Sequence, residues 1–265
     1  MIGKGVVHID HVTLPLLFAS LVGAIVWNIL TWFMGLPTSS SHALIGGLVG
    51  AGMAAAGPGV VIWGGVLKIA EFIILAPFIG MLGAGIFTSI IILLFRKMSY
   101  SRSLNFFKYL QLISSFWYSV GHGTNDAQKT MGIIALALVT GGVTKTFELQ
   151  NWVVVSCYSA IALGTAFGGW RIVKTMGTKI TKLRAREGFC AETAAALVLM
   201  GTAQLGIPVS TTHVIAGAIM GVGTVEKVGG VRWITARKIV WAWILTVPLT
   251  ALCAAVSYML ITLIV

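Results

Sequence analysis

The residues of this sequence that are best suited to chemistry lie in a polar segment, Gly121–Gly132, inside an otherwise apolar run, Tyr109–Thr140. Insertion scales put the cost of a charged side chain at the centre of a bilayer at about 2.5–3.5 kcal/mol. We expect the glycines to open the helix here, so that freed backbone groups and polar side chains face protein, water or a ligand. Secondary transporters hold substrate and coupling ion at polar breaks between half-helices. The segment therefore predicts half of a transport site.

Asn125 and Asp126 are the strongest candidates for binding a driving cation. A carboxylate beside amide and backbone oxygens suits a hard monovalent cation such as Na⁺, or a proton. In the structural alternative, Asp126 caps a half-helix and pairs with Lys129 one turn later. Lys129 could instead neutralise a bound anion, with Gln128 as a further donor. Glu192 opens a later helix, where it either lines the path and joins the cation site or is an ordinary first-turn acid.

A second kind of polar motif, a proline followed by hydroxyl residues and a histidine, occurs twice, in Gly35–Gly46 and in Gly206–Gly217. The proline ends one helix and leaves the hydroxyls at the start of the next, where free N–H groups and the helix dipole favour an anion. In the alternative, the hydroxyls only cap the helix. As neutral donors they would suit a tetrahedral oxyanion, and the candidate phosphate ligands are Ser39, Ser40, Ser41, Ser210, Thr211 and Thr212.

Histidines accompany all three motifs. His42 and His213 directly follow the hydroxyl residues, and His122 adjoins the polar segment. Each could carry a proton or donate a hydrogen bond to the anion. The alternative is a histidine that the backbone at the helix cap satisfies.

The composition of the chain indicates that these residues lie on helices in a membrane. The chain of 265 residues is 57% hydrophobic and only 9% charged, whereas soluble domains average about 25% charged residues. Its net charge of +11 is concentrated in the loops 96–108 and 171–186, as the positive-inside rule predicts for cytoplasmic loops. Anionic lipid headgroups are the expected partner of that charge, and a soluble nucleic-acid binder is excluded.

Hydrophobic patterning gives the expected elements. A short Gly-rich helix follows each hydroxyl motif, and 171–187 is expected to be a basic loop. We expect Val60–Phe95 to divide into a partial helix and a full crossing at a kink near Pro77. The other predicted helices are Val12–Met34, Trp152–Trp170, Phe189–Leu205 and Trp233–Val265.

The repeated motifs indicate a duplicated helical unit, because Pro77 also recurs at the matching position, Pro248. The sequence predicts a partial first repeat, residues 1–108, without the helix that would carry a first polar segment, and a complete second repeat, residues 109–265. Charge asymmetry between matching loops favours oppositely oriented repeats. The expected fold is an all-α membrane protein, a polytopic helical bundle with internal, inverted repeats and broken helices.

Two of these motifs together resemble the inorganic phosphate transporter (PiT) family. They are Gly121-His122-Gly123-Thr124-Asn125-Asp126-Ala127-Gln128-Lys129 and Gly206-Ile207-Pro208-Val209-Ser210-Thr211-Thr212-His213, and Gly35–His42 resembles the equivalent part of the family's first half. The resemblance implies an inverted-repeat transporter with phosphate as substrate and Na⁺ or H⁺ as the symported ion. It places Asn125 and Asp126 on the family's signature. Family members carry a second Gly-x-Asn-Asp signature in the first half, which this sequence lacks.

The predicted function is phosphate symport with Na⁺ or H⁺ across the plasma membrane or the bacterial inner membrane. No cofactor is expected beyond the coupling ion, and the expected partners are inorganic phosphate and the lipid bilayer, with a homo-oligomer left open. The chain is not expected to be an enzyme, since it has no nucleophile elbow and no P-loop. Two alternatives remain: a symporter of a related anion such as sulfate, and a truncated, non-transporting fragment that needs a partner.

Overall fold

The computed structural model describes residues 5–205, 209–227 and 229–264, and these residues are predominantly helical. Two short 3₁₀ helices, Ile9–His11 and Pro58–Val60, flank the first hairpin, and Val7 forms an antiparallel bridge with Val61. A π-helical turn, Thr175–Ile180, follows α6. The α-helices are α1 Leu14–Met34, α2 Ser40–Ala56, α3 Trp63–Phe95, α4 Tyr100–Thr140, α5 Asn151–Gly168, α6 Trp170–Lys174, α7 Ala185–Gln204, α8 Thr211–Glu226 and α9 Trp233–Ile264.

The first hydroxyl motif forms the turn of a helical hairpin, α1–α2. Gly35 ends α1 in a left-handed conformation with φ of 66°, which glycine adopts without steric cost. Pro37 lies in the short connection, and Ser39 is the N-cap of α2. The hydroxyls of Thr31 and Thr38 lie 2.8 Å apart across the turn. The predicted short Gly-rich helix after the motif is confirmed here, and Gly35 rather than Pro37 ends the first helix.

The second hydroxyl motif forms a matching hairpin, α7–α8, in which Ser210 is the N-cap of α8. The predicted role of Pro208 falls outside the described residues, as do Gly206 and Ile207. α7 begins at Ala185, four residues before the predicted start. The two hairpins have nearly equal arms, of 21 and 17 residues in α1–α2 and 20 and 16 in α7–α8.

The chain divides into two compact units, and each combines parts that are distant in sequence. Unit 1 comprises Met1–Ala70, Thr124–Gly168 and Trp241–Val265, and unit 2 comprises Glu71–Gly123 and Gly169–Val240. Helices α3, α4 and α9 therefore each begin in one unit and continue in the other. The units do not coincide with the repeats that the sequence predicts at 1–108 and 109–265, and that duplication stays a prediction.

In unit 1 the first hairpin packs against the later part of α9. A Cβ added at Gly50 would lie 1.9 Å from the backbone oxygen of Ala251, and one at Gly23 would lie 2.8 Å from the Ala254 Cβ. Backbones approach this closely only where residues are small. Trp27 Nε1 donates to Thr246 Oγ1 at 3.0 Å. These contacts anchor the hairpin whose tip carries Ser39, Ser40 and Ser41.

In unit 2 the second hairpin packs against the later part of α3 in the same manner. A Cβ added at Gly221 would lie 2.1 Å from the Met81 backbone oxygen, and one at Gly217 would lie 2.0 Å from that of Pro77. Phe107 is almost fully buried, and its ring centroid lies 5.8 Å from that of Phe189 on α7. Each hairpin is thus held by a proline-containing helix that comes from the other half of the sequence.

The structure corrects three expectations about individual elements. α4 is one continuous helix of 41 residues, so the glycines between Gly121 and Gly132 do not open it. The described discontinuities lie instead at the hairpin turns. α3 is likewise one helix with Pro77 inside it rather than a partial helix and a crossing. The expected basic loop 171–187 is largely helical, because α6, the π-helical turn and the first turn of α7 occupy most of it.

The described residues include four helices that are long and apolar enough to cross a membrane: α1, α3, α5 and α9. These helices leave many large apolar side chains exposed, among them Phe18, Leu82 and Phe167. In a membrane-spanning helix such side chains face lipid. The composition and the exposed helices together make this an all-α membrane protein.

Candidate functional site

The tip of the first hairpin presents hydroxyls at the N-terminus of α2. Ser39 Oγ accepts a hydrogen bond from the His42 backbone N–H at 3.3 Å, so this serine acts as a cap. Ser40 is exposed, and Ser41 is buried at 7% exposure. Ser39 therefore has the capping role that was the alternative to anion binding. Ser40 and Ser41 stay candidates for binding an anion at the helix N-terminus.

The Ser41 hydroxyl lies beside the two charges of the polar segment. Lys129 Nζ donates to Ser41 Oγ at 2.6 Å and to Asp126 Oδ1 at 3.0 Å. The side chains of Lys129 and Asp126 are 19% and 17% exposed. The ion pair predicted as a structural alternative is thus present, and in addition it joins α4 to the hairpin tip.

These bonds explain why α4 needs no break. A charge inside a membrane protein is tolerated when it is paired or hydrogen-bonded, and Lys129 and Asp126 satisfy each other within one turn of intact helix. A glycine inside a helix costs only about 1 kcal/mol relative to alanine. A few glycines are therefore a weak reason for the helix to open.

The other residues predicted for unit 1 occupy different surroundings. Asn125 is half-buried on α4 next to Asp126, and Gln128 is exposed. The structure gives Gln128 no bond to the group formed by Ser41, Asp126 and Lys129. His42 is buried directly after the capping turn. The structure therefore brings Asp126, Ser41 and Lys129 together and does not bring Gln128 to them.

The tip of the second hairpin repeats this local geometry in unit 2. Ser210 Oγ accepts from the His213 backbone N–H at 3.3 Å, as in the first hairpin. Ser210, Thr211 and His213 are buried, and Thr212 is half-buried. The two copies of the motif therefore share the capping bond and the burial of the following histidine.

Unit 2 also contains a carboxylate with a set of neutral donors. Glu192 Oε2 on α7 accepts hydrogen bonds from Ser114 Oγ at 2.6 Å and from Ser115 Oγ at 2.8 Å, both on α4. The Gln111 side chain also hydrogen-bonds to this carboxyl group. The structure gives Glu192 no basic partner among the described residues. Three neutral donors thus surround an acid that none of the described lysines and arginines neutralises.

Sequence reasoning missed Ser114, Ser115 and Gln111. The two serines are close to 80 residues from Glu192 in the chain, with separations of 78 and 77. The available signal was a Gln-x-x-Ser-Ser pattern within an apolar run, which places polar groups on adjoining turns of a helix.

His122, a further candidate from the sequence, stacks on Tyr118 one turn earlier in α4, with ring centroids 5.8 Å apart.

At the other end of the second hairpin, charged residues join its two arms. Arg186 near the start of α7 donates to both carboxylate oxygens of Glu226 on α8, at 2.9 and 2.8 Å. A single guanidinium nitrogen, Nη2, makes both hydrogen bonds, and the opposite charges of the two groups strengthen them. In unit 1, Leu16 and Leu17 near the start of α1 and Val60 after the end of α2 belong to one buried apolar cluster.

The donors and acceptors of each unit suit a small oxyanion and a hard monovalent cation. Hydroxyls, helix N-termini and an ammonium bind oxyanions, while carboxylate and hydroxyl oxygens bind Na⁺. Among the described residues there is no cluster of three or more His, Cys, Asp or Glu side chains that could hold a metal ion.

Comparison with known proteins gives a consistent result. A model described as "Phosphate transporter family" matches residues 1–106 and 95–254. A probable low-affinity inorganic phosphate transporter of Rhizobium meliloti (strain 1021) is 52% identical, over 97% of this chain and 77% of the relative. A protein of the same description from Bacillus subtilis (strain 168) is 41% identical, over 94% of this chain and 75% of the relative.

A solved structure agrees with these sequence matches. The protein, described as "The sodium-dependent phosphate transporter", superposes with a TM-score of 0.84 and 26% sequence identity, over 100% of this chain and 84% of that one. The relatives are named as transporters, in keeping with a site that binds ions. The matched segments together cover nearly the whole chain, and on that basis the chain belongs to the phosphate transporter family.

Proposed function

We propose that this chain moves inorganic phosphate across a membrane in symport with Na⁺. The observation that carries the proposal is the group in unit 1, where Ser41 at a helix N-terminus meets Lys129 and Asp126. A helix N-terminus, a hydroxyl and an ammonium suit phosphate, and the adjoining carboxylate suits a cation. Membership of the phosphate transporter family supports phosphate as the solute.

In this proposal the candidate phosphate ligands of each hairpin tip are its own hydroxyls. They are Ser40 and Ser41 in unit 1, and Thr211 and Thr212 in unit 2. Ser39 and Ser210 act by capping α2 and α8, which aims the free N–H groups of each helix start at the anion. The backbone N–H groups of His42 and His213 bind these caps, and a proton or hydrogen-bond role for their side chains stays a prediction.

The driving cation is assigned to the carboxylates. Asp126 and Asn125 provide oxygens in unit 1, and Glu192 provides a carboxylate in unit 2. Sodium is favoured over a proton because the similar solved structure is described as a sodium-dependent transporter. The cation balances part of the charge of phosphate, so a nearly neutral loaded protein can change its access state.

The setting is a cell membrane, with the basic segments on the cytoplasmic side. Fourteen of the 18 lysines and arginines of the chain lie in unit 2. Positively charged segments stay cytoplasmic and are attracted by anionic lipid headgroups. The proposal therefore places the ends of the unit 2 helices that carry these residues at the inner surface of the plasma membrane or of a bacterial inner membrane.

The test is uptake of labelled phosphate into proteoliposomes that contain the purified full chain. An inward Na⁺ gradient should drive accumulation, and replacing Na⁺ by K⁺ should abolish it. An excess of unlabelled phosphate should compete, and sulfate should not. Uptake that is equal in Na⁺ and K⁺ contradicts Na⁺ symport, and sulfate competition equal to that of phosphate favours the related-anion alternative.

A further inference from the structure

The Lys129 ammonium lies on two oxygens that also suit a metal cation. Its Nζ is 2.6 Å from Ser41 Oγ and 3.0 Å from Asp126 Oδ1. Carboxylate and hydroxyl oxygens are the ligand types that hard cations take in proteins. A Na⁺ ion that takes Asp126 Oδ1 and Ser41 Oγ as ligands would thus use the two oxygens to which Lys129 now donates.

An ammonium and a Na⁺ ion cannot share these oxygens. Both carry one positive charge, and their mutual repulsion at a few ångströms is weakened little by solvent in a partly buried site. The Lys129 and Asp126 side chains are 19% and 17% exposed, and Ser41 is buried. Sodium can therefore bind Asp126 only after Lys129 withdraws.

We propose that Lys129 is a tethered cation that occupies the Na⁺ position at Asp126 until phosphate binds, and that this competition makes Na⁺ binding depend on phosphate. The inference rests on the function proposed above and adds a regulatory role to the same site. Phosphate oxygens offer the ammonium a charged partner. The flexible stem of lysine allows the ammonium to move to them while its backbone stays in α4.

The consequence is a coupling between two binding events. Phosphate draws Lys129 from Asp126, and the vacated oxygens then take Na⁺. Because coupling is reciprocal, Na⁺ at Asp126 must strengthen phosphate binding by the same factor. An empty protein does not fill Asp126 with Na⁺, which limits movement of Na⁺ without phosphate.

A lysine that served only as a phosphate ligand would behave differently. Its removal would weaken phosphate binding and leave Na⁺ binding in the absence of phosphate unchanged. Removal of a competing ammonium instead exposes a Na⁺ site that the phosphate-free protein otherwise lacks. The two roles therefore differ in a measurement that needs no phosphate at all.

The experiment is a calorimetric Na⁺ titration of the full chain in lipid nanodiscs, with and without inorganic phosphate. In the wild type, phosphate should add one Na⁺ per chain or raise Na⁺ affinity at least about tenfold, within the usual range of coupling factors. In Lys129→Gln the additional Na⁺ should bind without phosphate, and the effect of phosphate should fall below about twofold. Lys145→Gln, which alters an exposed loop lysine of the same unit, should match the wild type.

Two further variants make the result specific. The additional Na⁺ of Lys129→Gln must disappear when Asp126→Asn is added. Lys129→Cys should behave like Lys129→Gln, and attachment of an aminoethyl group to its thiol, which restores an ammonium, should return Na⁺ binding to the wild-type pattern. A neutral methylthio group should not. Because Cys157 and Cys190 are buried and Cys253 is half-buried, wild-type protein treated with each reagent is the control.

Three outcomes would overturn the inference. They are unchanged phosphate-free Na⁺ binding in Lys129→Gln, a loss of phosphate affinity alone, and an absence of Na⁺ binding in all variants. Failure of the proposed function is recognised separately, as wild-type protein that accumulates no phosphate under a Na⁺ gradient. If Lys129→Gln does not fold, the modified Lys129→Cys protein decides the question.

Discussion

The two units treat the carboxylates on their helices differently. In unit 1, Asp126 pairs with Lys129 on the same helix, and Ser41 shares the ammonium. In unit 2, Glu192 accepts hydrogen bonds from Ser114 and Ser115 and has no basic partner among the described residues. A lysine on the same helix neutralises Asp126, whereas neutral hydrogen-bond donors stabilise Glu192.

The difference indicates which carboxylate takes a mobile cation first. An acid that pairs with an internal ammonium gains little from a Na⁺ ion unless the ammonium leaves. Around Glu192 the described residues supply only hydroxyls and an amide, so a bound cation or a proton is the means to neutralise its charge. Glu192 is therefore expected to bind Na⁺ in the phosphate-free protein, whereas Asp126 is expected to do so after phosphate arrives.

The largest effect is expected from Glu192→Gln. The substitution keeps the shape and the hydrogen-bonding capacity of the side chain but removes its charge. Since a lost interaction of about 2.7 kcal/mol corresponds to roughly 100-fold in rate, Na⁺-driven phosphate uptake should fall by about that factor. The measurement is initial uptake into proteoliposomes. Glu148→Gln, in an exposed loop, is the matched control, and equal uptake by both variants would contradict the role of Glu192.

Breaking the internal pair of unit 1 should cost stability. Asp126→Asn leaves the Lys129 ammonium without its carboxylate, and loss of one partner of a largely buried pair costs about 3–5 kcal/mol. Because both side chains retain some exposure, we expect the lower end of that range. Thermal unfolding in detergent would measure it. The double variant Asp126→Asn, Lys129→Gln should recover most of the loss, and no recovery would show that the pair does not act as a unit.

The hairpin contacts should respond to an added methyl group in both units. A Cβ at Gly217 would lie 2.0 Å from the Pro77 oxygen, and one at Gly46 would lie 2.5 Å from the Val247 oxygen and 1.9 Å from the Thr250 hydroxyl. Overpacking of this kind costs about 1–3 kcal/mol. Gly217→Ala should lower the unfolding temperature more than Gly46→Ala, because its close neighbours are all backbone atoms.

Gly201→Ala on α7 is the control for this pair, since nothing lies within 4 Å of the added Cβ. In an open position alanine is the better helix former. Its unfolding temperature should equal or exceed that of the wild type. Equal unfolding temperatures for all three glycine variants would mean that the close helix contacts are absent.

The smallest effect is expected at the two capping serines. Ser39→Ala and Ser210→Ala each remove a side-chain acceptor for an N–H three residues later. Loss of such a cap costs about 1 kcal/mol. The two variants should lower the unfolding temperature by similar amounts, because the cap distances are the same. A much larger loss at one serine would show that the hairpin tips are not equivalent.

The sequence was informative where the cause of structure is local. Gly35 ended α1, and serines followed by histidines began α2 and α8, so these helices and their caps were predicted with nearly correct limits. Capping depends on groups within four residues, which a sequence displays directly. The ion pair between Asp126 and Lys129 was also predicted as an alternative, because its partners are three residues apart.

The sequence was less informative where partners are distant. The donors to Glu192 lie on another helix, and the hydroxyl that joins Lys129 belongs to a hairpin 88 residues earlier. The prediction of a break in α4 was wrong, because Lys129 hydrogen-bonds to Asp126 and Ser41 while the helix stays intact. Ser41 is a distant partner that the sequence does not display. Each hairpin packs against a proline-containing helix from the other half of the sequence, and this packing depends on close backbone approach at glycines. A single sequence does not show which backbone comes near.

The most direct test of the comparison is Na⁺ binding to the phosphate-free protein. Calorimetric titration of wild type, Glu192→Gln and Asp126→Asn in nanodiscs should show Na⁺ binding in the wild type and in Asp126→Asn, and its loss in Glu192→Gln. Binding that disappears in Asp126→Asn and persists in Glu192→Gln would contradict the assignment of the first cation to unit 2.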